Sequence, residues 1–588
     1  MKQIFTVFAL VVSLFSDTIF AQNLLPNGDF EQNFTSWTNL VGTPATGTYT
    51  VATTNVKQGA KCMKLEITKL GTTSYSLQSI HTGWVAQIGK LYKVNFSARS
   101  SVDNASLDVV HQNTGFTKNS FSLSPTWEDF EYMYTPTETS PGFKLQFPTL
   151  STYWIDAITI VEFNAGNIVI PPAGNASFRE LAAKCKLNIG SVGDQSQTTL
   201  YTSTLKKEYN ILVNENALKM ASIKSSENGA YNFSGPDQLL AFAQANGMKM
   251  RGHCILWHEG MPDWVKNKAW TKTTLLAYLK EYITIVAGRY KGKIAEWDVA
   301  NEFVQNGNDQ GNGNILRDGT ESVWMKYIGE EVLDSAFKWM RQIDPNAKLY
   351  YNDYGAEGMN GKSKGVYELL KRLKARKVPI DGLGFQCHFN YDRLISINST
   401  FAKEMDQNIK RIGALGLQMS FTEIDFAIPL PADDIKYRIQ ALSYGNLLTI
   451  ALNNPTIVKS FLSWGFTDKH SWIPAFKPGE GAALIFYEDY SKKLAYNQMY
   501  ASFLANCTAD PLAVKNEEIQ EDATNSLSVF PNPGNGQFSL TQVSNWKIYN
   551  LHGQELKTGI GNQIDISESP KGIYLIKIND KVERIVVE

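Results

Sequence analysis

Cysteine is scarce in this sequence, with five in 588 residues: Cys62, Cys185, Cys254, Cys387 and Cys507. Their odd number and wide scatter form neither a disulfide framework nor a zinc-ligand spacing, so most are expected to be buried small hydrophobes. An excess of one charge is lacking too. With 56 basic and 57 acidic residues, a net charge of −1 gives no electrostatic footing for nucleic acid or an anionic membrane. After the amino-terminal segment no apolar run approaches bilayer length, so no membrane span is expected. There is no HExxH or similar tight cluster of His and carboxylate, which argues against a metal site. No long repeat is apparent.

At this length one ordinary core is excluded, and about two to four domains are expected. The 43% hydrophobic content is that of a folded protein, and the 12% aromatic content, with 13 Trp and 26 Tyr, supplies faces suited to cores and to sugars. The opening "MKQIFTVFALVVSLFSDTIFAQ" sets Lys2 before a short apolar run and ends in Ile19-Phe20-Ala21. That is the layout of a secretory signal peptide over residues 1–21, and it predicts an exported protein.

Three composition regimes follow. Residues 22–162 are strand-like, with short alternating runs such as "YKVNFSARS" between Gly, Asn, Ser and Thr clusters, and predict an antiparallel β-sandwich. Residues 163–174, around "NAGNIVIPPAG", read as a linker stiffened by Pro171-Pro172. From 175 to 507 apolar strands alternate with helical patterns. Eight strand-like segments occur, from "KLNIG" through "YNILVNEN", "MKMRGHCILWH", "IAEWDVANE", "AKLYYNDY", "IDGLGFQCHF" and "LQMSFTEIDF" to "VKSFLSWGF". They predict a (β/α)8 TIM barrel. A doubly wound open sheet is the alternative, weakened by the lack of a Gly-rich nucleotide turn. Residues 508–523 are polar and acidic, a tether. Residues 524–588 return to hairpin-like strands around "NPGNG" and "HG" and predict a small all-β domain.

In such a barrel the chemistry gathers at the carboxyl ends of the strands. Those ends carry Glu215 and Asn216, Trp257 and His258, Asn301 and Glu302, Asn352 and Asp353, Gln386 and His388, Glu423 and Asp425, and Trp464. Glu302 and Glu423 each directly follow a strand core. Cleavage of a glycosidic bond needs two such carboxyl groups across the scissile bond, one protonated and one ionised.

The blocks "LVNENALK", "RGHCILWH", "WDVANE", "YYNDY", "GFQCH", "TEIDF" and "WGFTDKHSW", in this order, resemble the family 10 glycoside hydrolases, mainly endo-β-1,4-xylanases. The resemblance implies retaining hydrolysis of xylan and xylo-oligosaccharides through a glycosyl-enzyme intermediate, without metal or organic cofactor. It makes Glu302 the general acid/base and Glu423 the nucleophile, with His388 holding Glu423 and Asp425 behind it. Asn301 would bind the 2-hydroxyl of the sugar being cleaved. His258 and Gln386 would line the same subsite, with Trp464 and Trp472 as its floor and wall. Trp257 would be a further substrate contact, and Glu215, Asn216 and Lys219 would contact the next sugar on the non-reducing side. Tyr354 would be a stacking platform on the leaving-group side. The sequence departs from the family pattern at Met220, at "HEGMPDW" with its added Glu259, and at "NDYGAE". No departure removes a catalytic group; together they bear on fine subsite preference.

At the amino end "NLLPNGDFEQNFTSW", "WEDFEYMYTP" and "YWIDAITIVE" resemble carbohydrate-binding modules of the family 4/9 type, which implies binding to plant cell-wall polysaccharide. Trp84, Tyr75 and Trp127 are candidate contacts, with core packing the competing reading for each. The segment with "VFPNPGNGQFSL", "IYNLHGQEL" and "PKGIYLIKI" resembles sorting domains of type IX secretion. That implies the secretion machinery of a bacterium of the Bacteroidetes kind as partner, and release to the medium or cell surface.

Overall fold

A computed structural model describes residues 23–81, 83–111, 117–306, 316–507, 529–550, 554–578 and 581–587. The expected signal peptide and acidic tether lie outside the described residues. The chain divides into two compact units, residues 1–164 and 165–588.

The first unit is a sandwich of two five-stranded antiparallel sheets. Trp37–Val41, Leu77–His81, Phe143–Gln146, Ala105–His111 and Thr117–Leu123 form one sheet. Thr46–Ala52, Cys62–Lys69, Thr152–Glu162, Tyr92–Ser100 and Glu128–Tyr134 form the other. Alternation along each strand sends Leu65, Phe96, Leu107, Val109, Phe130 and Tyr153 into the space between the sheets. This placement decides between the two readings of Trp84. Trp84 is 1% exposed, its indole N–H donates to the Gly142 carbonyl at 3.0 Å, and it belongs to the core. Trp127 is half-buried, its N–H on the Asn55 carbonyl at 3.2 Å, whereas Tyr75 is 56% exposed.

In the second unit eight parallel strands close on themselves. They are β1 (Asn188–Val192), β2 (Ile211–Val213), β3 (Lys249–Leu256), β4 (Glu296–Asn301), β5 (Lys348–Asp353), β6 (Gly382–Phe385), β7 (Gln418–Pro429) and β8 (Val458–Ser463). Each pairs with the next, and β1 pairs with β8, so no sheet edge is left. The open doubly wound alternative is thereby excluded. Helices return the chain between strands, and their starts are written in the sequence. Thr271, Asn360, Ser399 and Asp433 each accept a hydrogen bond from a first-turn backbone N–H. Strand β7 runs on beyond the barrel, where it pairs with His388–Asn390 and Glu480–Gly481.

Two expectations need correction here. The segment read as a linker is packed from Ala165 onward: Ala165, Ile168 and Ile170 are buried, and Arg438 donates to the Ile168 carbonyl at 2.5 Å. Its apolar "IVI" run has a surface to cover, which outweighs the stiffness of the prolines. Cys185 and Cys507 form a disulfide across 322 residues, with Cα atoms 5.2 Å apart. Barrel closure brings helix Phe178–Lys184 beside helix Leu494–Asn506, where the rings of Phe178 and Tyr496 stack at 4.1 Å. The other three cysteines are free and buried, as expected.

The carboxyl-terminal strands Val529–Phe530, Gln537–Tyr549, Glu555–Asp565, Gly572–Ile578 and Lys581–Val587 form an antiparallel sheet around Phe538, Trp546, Ile548, Ile576 and Ile585. Tyr549 and Leu575 pack on Ala501 and Ala505 of the last barrel helix.

Candidate active site

The site is built on a charged layer inside the barrel. Arg251 and His253 on β3 stand opposite Glu296 and Asp298 on β4 in register. Residues two apart share a face of a strand, so all four side chains meet. Arg251 donates to Asp298 at 3.1 and 2.5 Å and to Glu296 at 2.6 Å, and His253 Nδ1 lies 3.1 Å from Asp298 Oδ2. Buried charges are tolerated only when paired and hydrogen-bonded, which this fork geometry provides.

Above this layer Glu423 of β7 is 5% exposed. One oxygen, Oε1, accepts from Asn352 Nδ2 at 2.7 Å and lies 3.9 Å from His253 Nδ1. The other, Oε2, is 3.3 Å from His388 Nε2, whose Nδ1 lies 2.9 Å from Asp425 Oδ2. Asp425 Oδ2 also accepts from the Trp472 indole at 2.9 Å. Burial opposes charge on both histidines. Cys254, Glu423 and Asp298 outweigh it for His253, and Asp425 and Glu423 outweigh it for His388, so each is raised to about 10. Burial likewise pushes Glu423 up, but the two imidazolium groups win and its pKa is lowered. Glu423 is held as a carboxylate.

Glu302 follows β4 in a left-handed conformation with φ of 60°, which costs a non-glycine residue about 1–3 kcal/mol. Its backbone is pinned on both sides: its N–H donates to the Asn352 carbonyl at 2.9 Å, and its carbonyl accepts from Arg317 at 2.7 Å. Oε1 accepts from Gln386 at 2.9 Å and Asn301 at 3.1 Å, and Oε2 from the Trp257 indole at 2.9 Å. Burial raises its pKa, with Asp353 and Glu423 adding to the rise and the Gln386 and Trp257 bonds opposing it. Two carboxyl groups in one cavity are thus pushed in opposite directions, the condition for acid and nucleophile to coexist.

Lys219 Nζ sits 5.0 Å over the Trp257 ring and 5.9 Å from that of Trp464, and donates to Asn216 at 2.9 Å. Trp464 packs edge-on against His253. Glu215 accepts from Gln195 at 3.1 Å, and burial raises its pKa. His258 stands edge-on to Trp257 without hydrogen-bonding the two central acids. Burial, with Arg317, Lys266 and Lys362, lowers its pKa to about 4, so it is neutral. The Tyr354 hydroxyl accepts from Asn306 at 2.7 Å and Arg317 at 3.3 Å. Lys362 lies 3.4 Å from its ring centroid, so one face of the expected platform is covered. Among the described residues no His, Cys, Asp and Glu cluster of three or more could hold a metal.

Residues 177–502 match the family described as glycosyl hydrolase family 10, more than half of the chain. The chain belongs to that family. Residues 528–588 match the secretion system C-terminal sorting domain. Family 10 relatives include endo-1,4-beta-xylanase B of Thermotoga neapolitana, 38% identical over 324 residues, covering 54% of this chain and 89% of that protein. The beta-1,4-xylanase of Dictyoglomus thermophilum is 36% identical over 309 residues, covering 50% and 82%. A crystal structure of xylanase 10B from Thermotoga petrophila with xylobiose is 36% identical, covers 57% of this chain and 99% of that one, and superposes with a TM-score of 0.52.

Arg251, His253, Glu296 and Asp298 escape a reading of strand ends because they lie inside the strands, and Gln195 because it lies in the loop three residues beyond the end of β1. The signal available for the first four is "RGH" and "EWD": opposite charges at every second position of two successive apolar strands.

Proposed function

We propose that this protein is an exported endo-1,4-β-xylanase that cleaves internal bonds of xylan with retention. The supporting observation is the split between a half-buried Glu302 pushed toward its acid form and a Glu423 held ionised by His253 and His388. In the first step Glu423 attacks the anomeric carbon while Glu302 gives its proton to the departing glycosidic oxygen. In the second, Glu302 takes a proton from water, the water oxygen bonds the anomeric carbon, and Glu423 leaves as carboxylate. Asn301 binds the 2-hydroxyl of the reacting sugar. Gln386, Trp257, His258, Trp464 and Trp472 surround it, and Glu215, Asn216 and Lys219 hold its neighbour. Tyr354 offers its uncovered face to the leaving group. The curated and structural relatives named as xylanases support the choice of xylan.

Residues 22–162 are the module that holds plant cell-wall polysaccharide. The sequence at 1–21 and the domain at 524–588 direct the chain to the medium or cell surface through the secretion machinery. Among the described residues no helix is long and apolar enough to cross a membrane.

The test is a product profile on arabinoxylan, glucuronoxylan, mixed-linkage glucan and cellulose, with Glu302→Ala and Glu423→Ala alongside. Xylo-oligosaccharides from the xylans are expected, and preference for a glucan overturns the substrate. Glu302→Ala is expected to lower turnover roughly 10²- to 10⁴-fold. Azide is expected to rescue Glu423→Ala as the inverted glycosyl azide; wild-type turnover by that variant refutes the mechanism. Removing residues 22–162 is expected to spare soluble oligosaccharides and weaken action on insoluble fibre, and equal loss on both refutes a binding role.

A further inference from the structure

The two central acids are joined by amides, and the direction in which those amides point begins at one hydroxyl. Thr422 Oγ1 lies 2.7 Å from Asn352 Oδ1 and 3.1 Å from the Phe385 carbonyl. Both Thr422 and Asn352 are buried. With its oxygen engaged by Thr422, Asn352 turns its NH2 to Asn301 Oδ1 at 2.8 Å and to Glu423 Oε1 at 2.7 Å. Asn301, its own oxygen now taken, must present its NH2 to Glu302 Oε1 at 3.1 Å. Each amide has one accepting and one donating end, so fixing the first fixes the second.

Room for this arrangement is set by Gly384 on β6. A Cβ there would stand 2.2 Å from Asn352 Oδ1 and 2.9 Å from the Thr422 methyl. The reversed Asn352 amide would aim its oxygen at the Glu423 carboxylate, an unfavourable contact between two acceptors.

We propose that Thr422 is a positioning residue for the reaction assigned above: its hydroxyl orients the Asn352 amide, and through it the NH2 of Asn301 and the hydrogen bond to Glu423. Thr422 touches neither substrate nor the reacting atoms. It acts by supplying a donor to Asn352, so that both protons of that amide are free for Asn301 and Glu423. The proposal rests on the roles given to Glu302 and Glu423 but not on which polysaccharide is cleaved.

The test compares Thr422→Val, Thr422→Ala and Thr422→Ser in the full chain, using aryl β-xylobioside and aryl β-cellobioside over a pH series. The charged groups facing Glu423 are His253 and His388, backed by Asp298 and Asp425, with Glu302 across the cavity, and all are kept. Losing a hydrogen bond in a charged network is expected to lower kcat/KM roughly 10- to 100-fold in the Val and Ala variants. Their acid limb is expected to move to higher pH, because Asn352 no longer holds the Glu423 carboxylate, while Thr422→Ser recovers both rate and limb. Wild-type behaviour of Thr422→Val overturns the proposal. So does a fall with an unmoved acid limb, or an equal fall in the Ser variant, since either marks a packing role. Thr422→Ala, which cannot overpack, decides the matter if the Val variant does not fold. Parent turnover on the two aryl glycosides tests the assigned reaction independently of these variants.

Discussion

Replacing His253 with glutamine removes a buried positive charge next to Glu423 and leaves the rest of the charged layer paired. Asp298 keeps its two bonds from Arg251, so no carboxylate is stranded. The separation of 3.9 Å between His253 Nδ1 and Glu423 Oε1, with an effective dielectric of about 20, corresponds to about 4 kcal/mol of attraction. That is about 3 pK units and an upper figure, since the glutamine amide replaces part of the lost interaction; opposite charges at this range usually move a carboxyl by about 1–3 units. The sign is fixed by the geometry. Glu423 must be ionised to attack, and losing a cation raises its pKa, so the acid limb of kcat/KM moves up by about 1–3 units. At pH values below the new limb the rate falls about tenfold per unit, while near neutrality it changes little. The assay is kcat/KM for an aryl β-xylobioside from pH 3 to 9. An acid limb at the parental pH would refute the claim that His253 is charged and acts on Glu423.

Two further outcomes follow from the same structure. Both His253 and His388 have pKa values raised from 6.5 to about 10, so their contribution to stability is full below 6.5 and is lost as pH climbs toward 10. Denaturant melts of the parent are expected to weaken across that window more steeply than those of a His253→Gln/His388→Gln double variant, and parallel slopes would contradict the shifts. Cys185→Ser/Cys507→Ser opens a loop of 322 residues and is expected to lower stability by about 2–5 kcal/mol, read by urea melts with and without reductant. Identical midpoints would show that the bond contributes nothing.

The barrel was legible because each strand is an apolar run bounded by turn residues or helical patterns, and all eight segments are strands. Glu302, Glu423 and Asn301 were legible from their position just after apolar residues. The pKa split between the two acids was not. It arises from the burial of Glu302 and from His253, His388 and Asp353, all brought about by barrel closure rather than by local pattern. The disulfide was hidden for the same reason, since its two halves lie at opposite ends of the barrel sequence. Trp84 shows the reverse case: open in the sequence to a surface or a core reading, it is assigned to the core only by the packing around it.

The Cys185–Cys507 bond has a mechanical consequence. A pull applied between the segment before the barrel and the segment after it enters at Cys185 and leaves at Cys507, through one covalent link. The strands between the two residues are bypassed by that covalent path. A chain held from both ends would be stretched without Glu302 and Glu423 being drawn apart. Reduced, the same chain would transmit the load through β1 to β8 and through the hydrogen bonds that set Glu302 against Glu423.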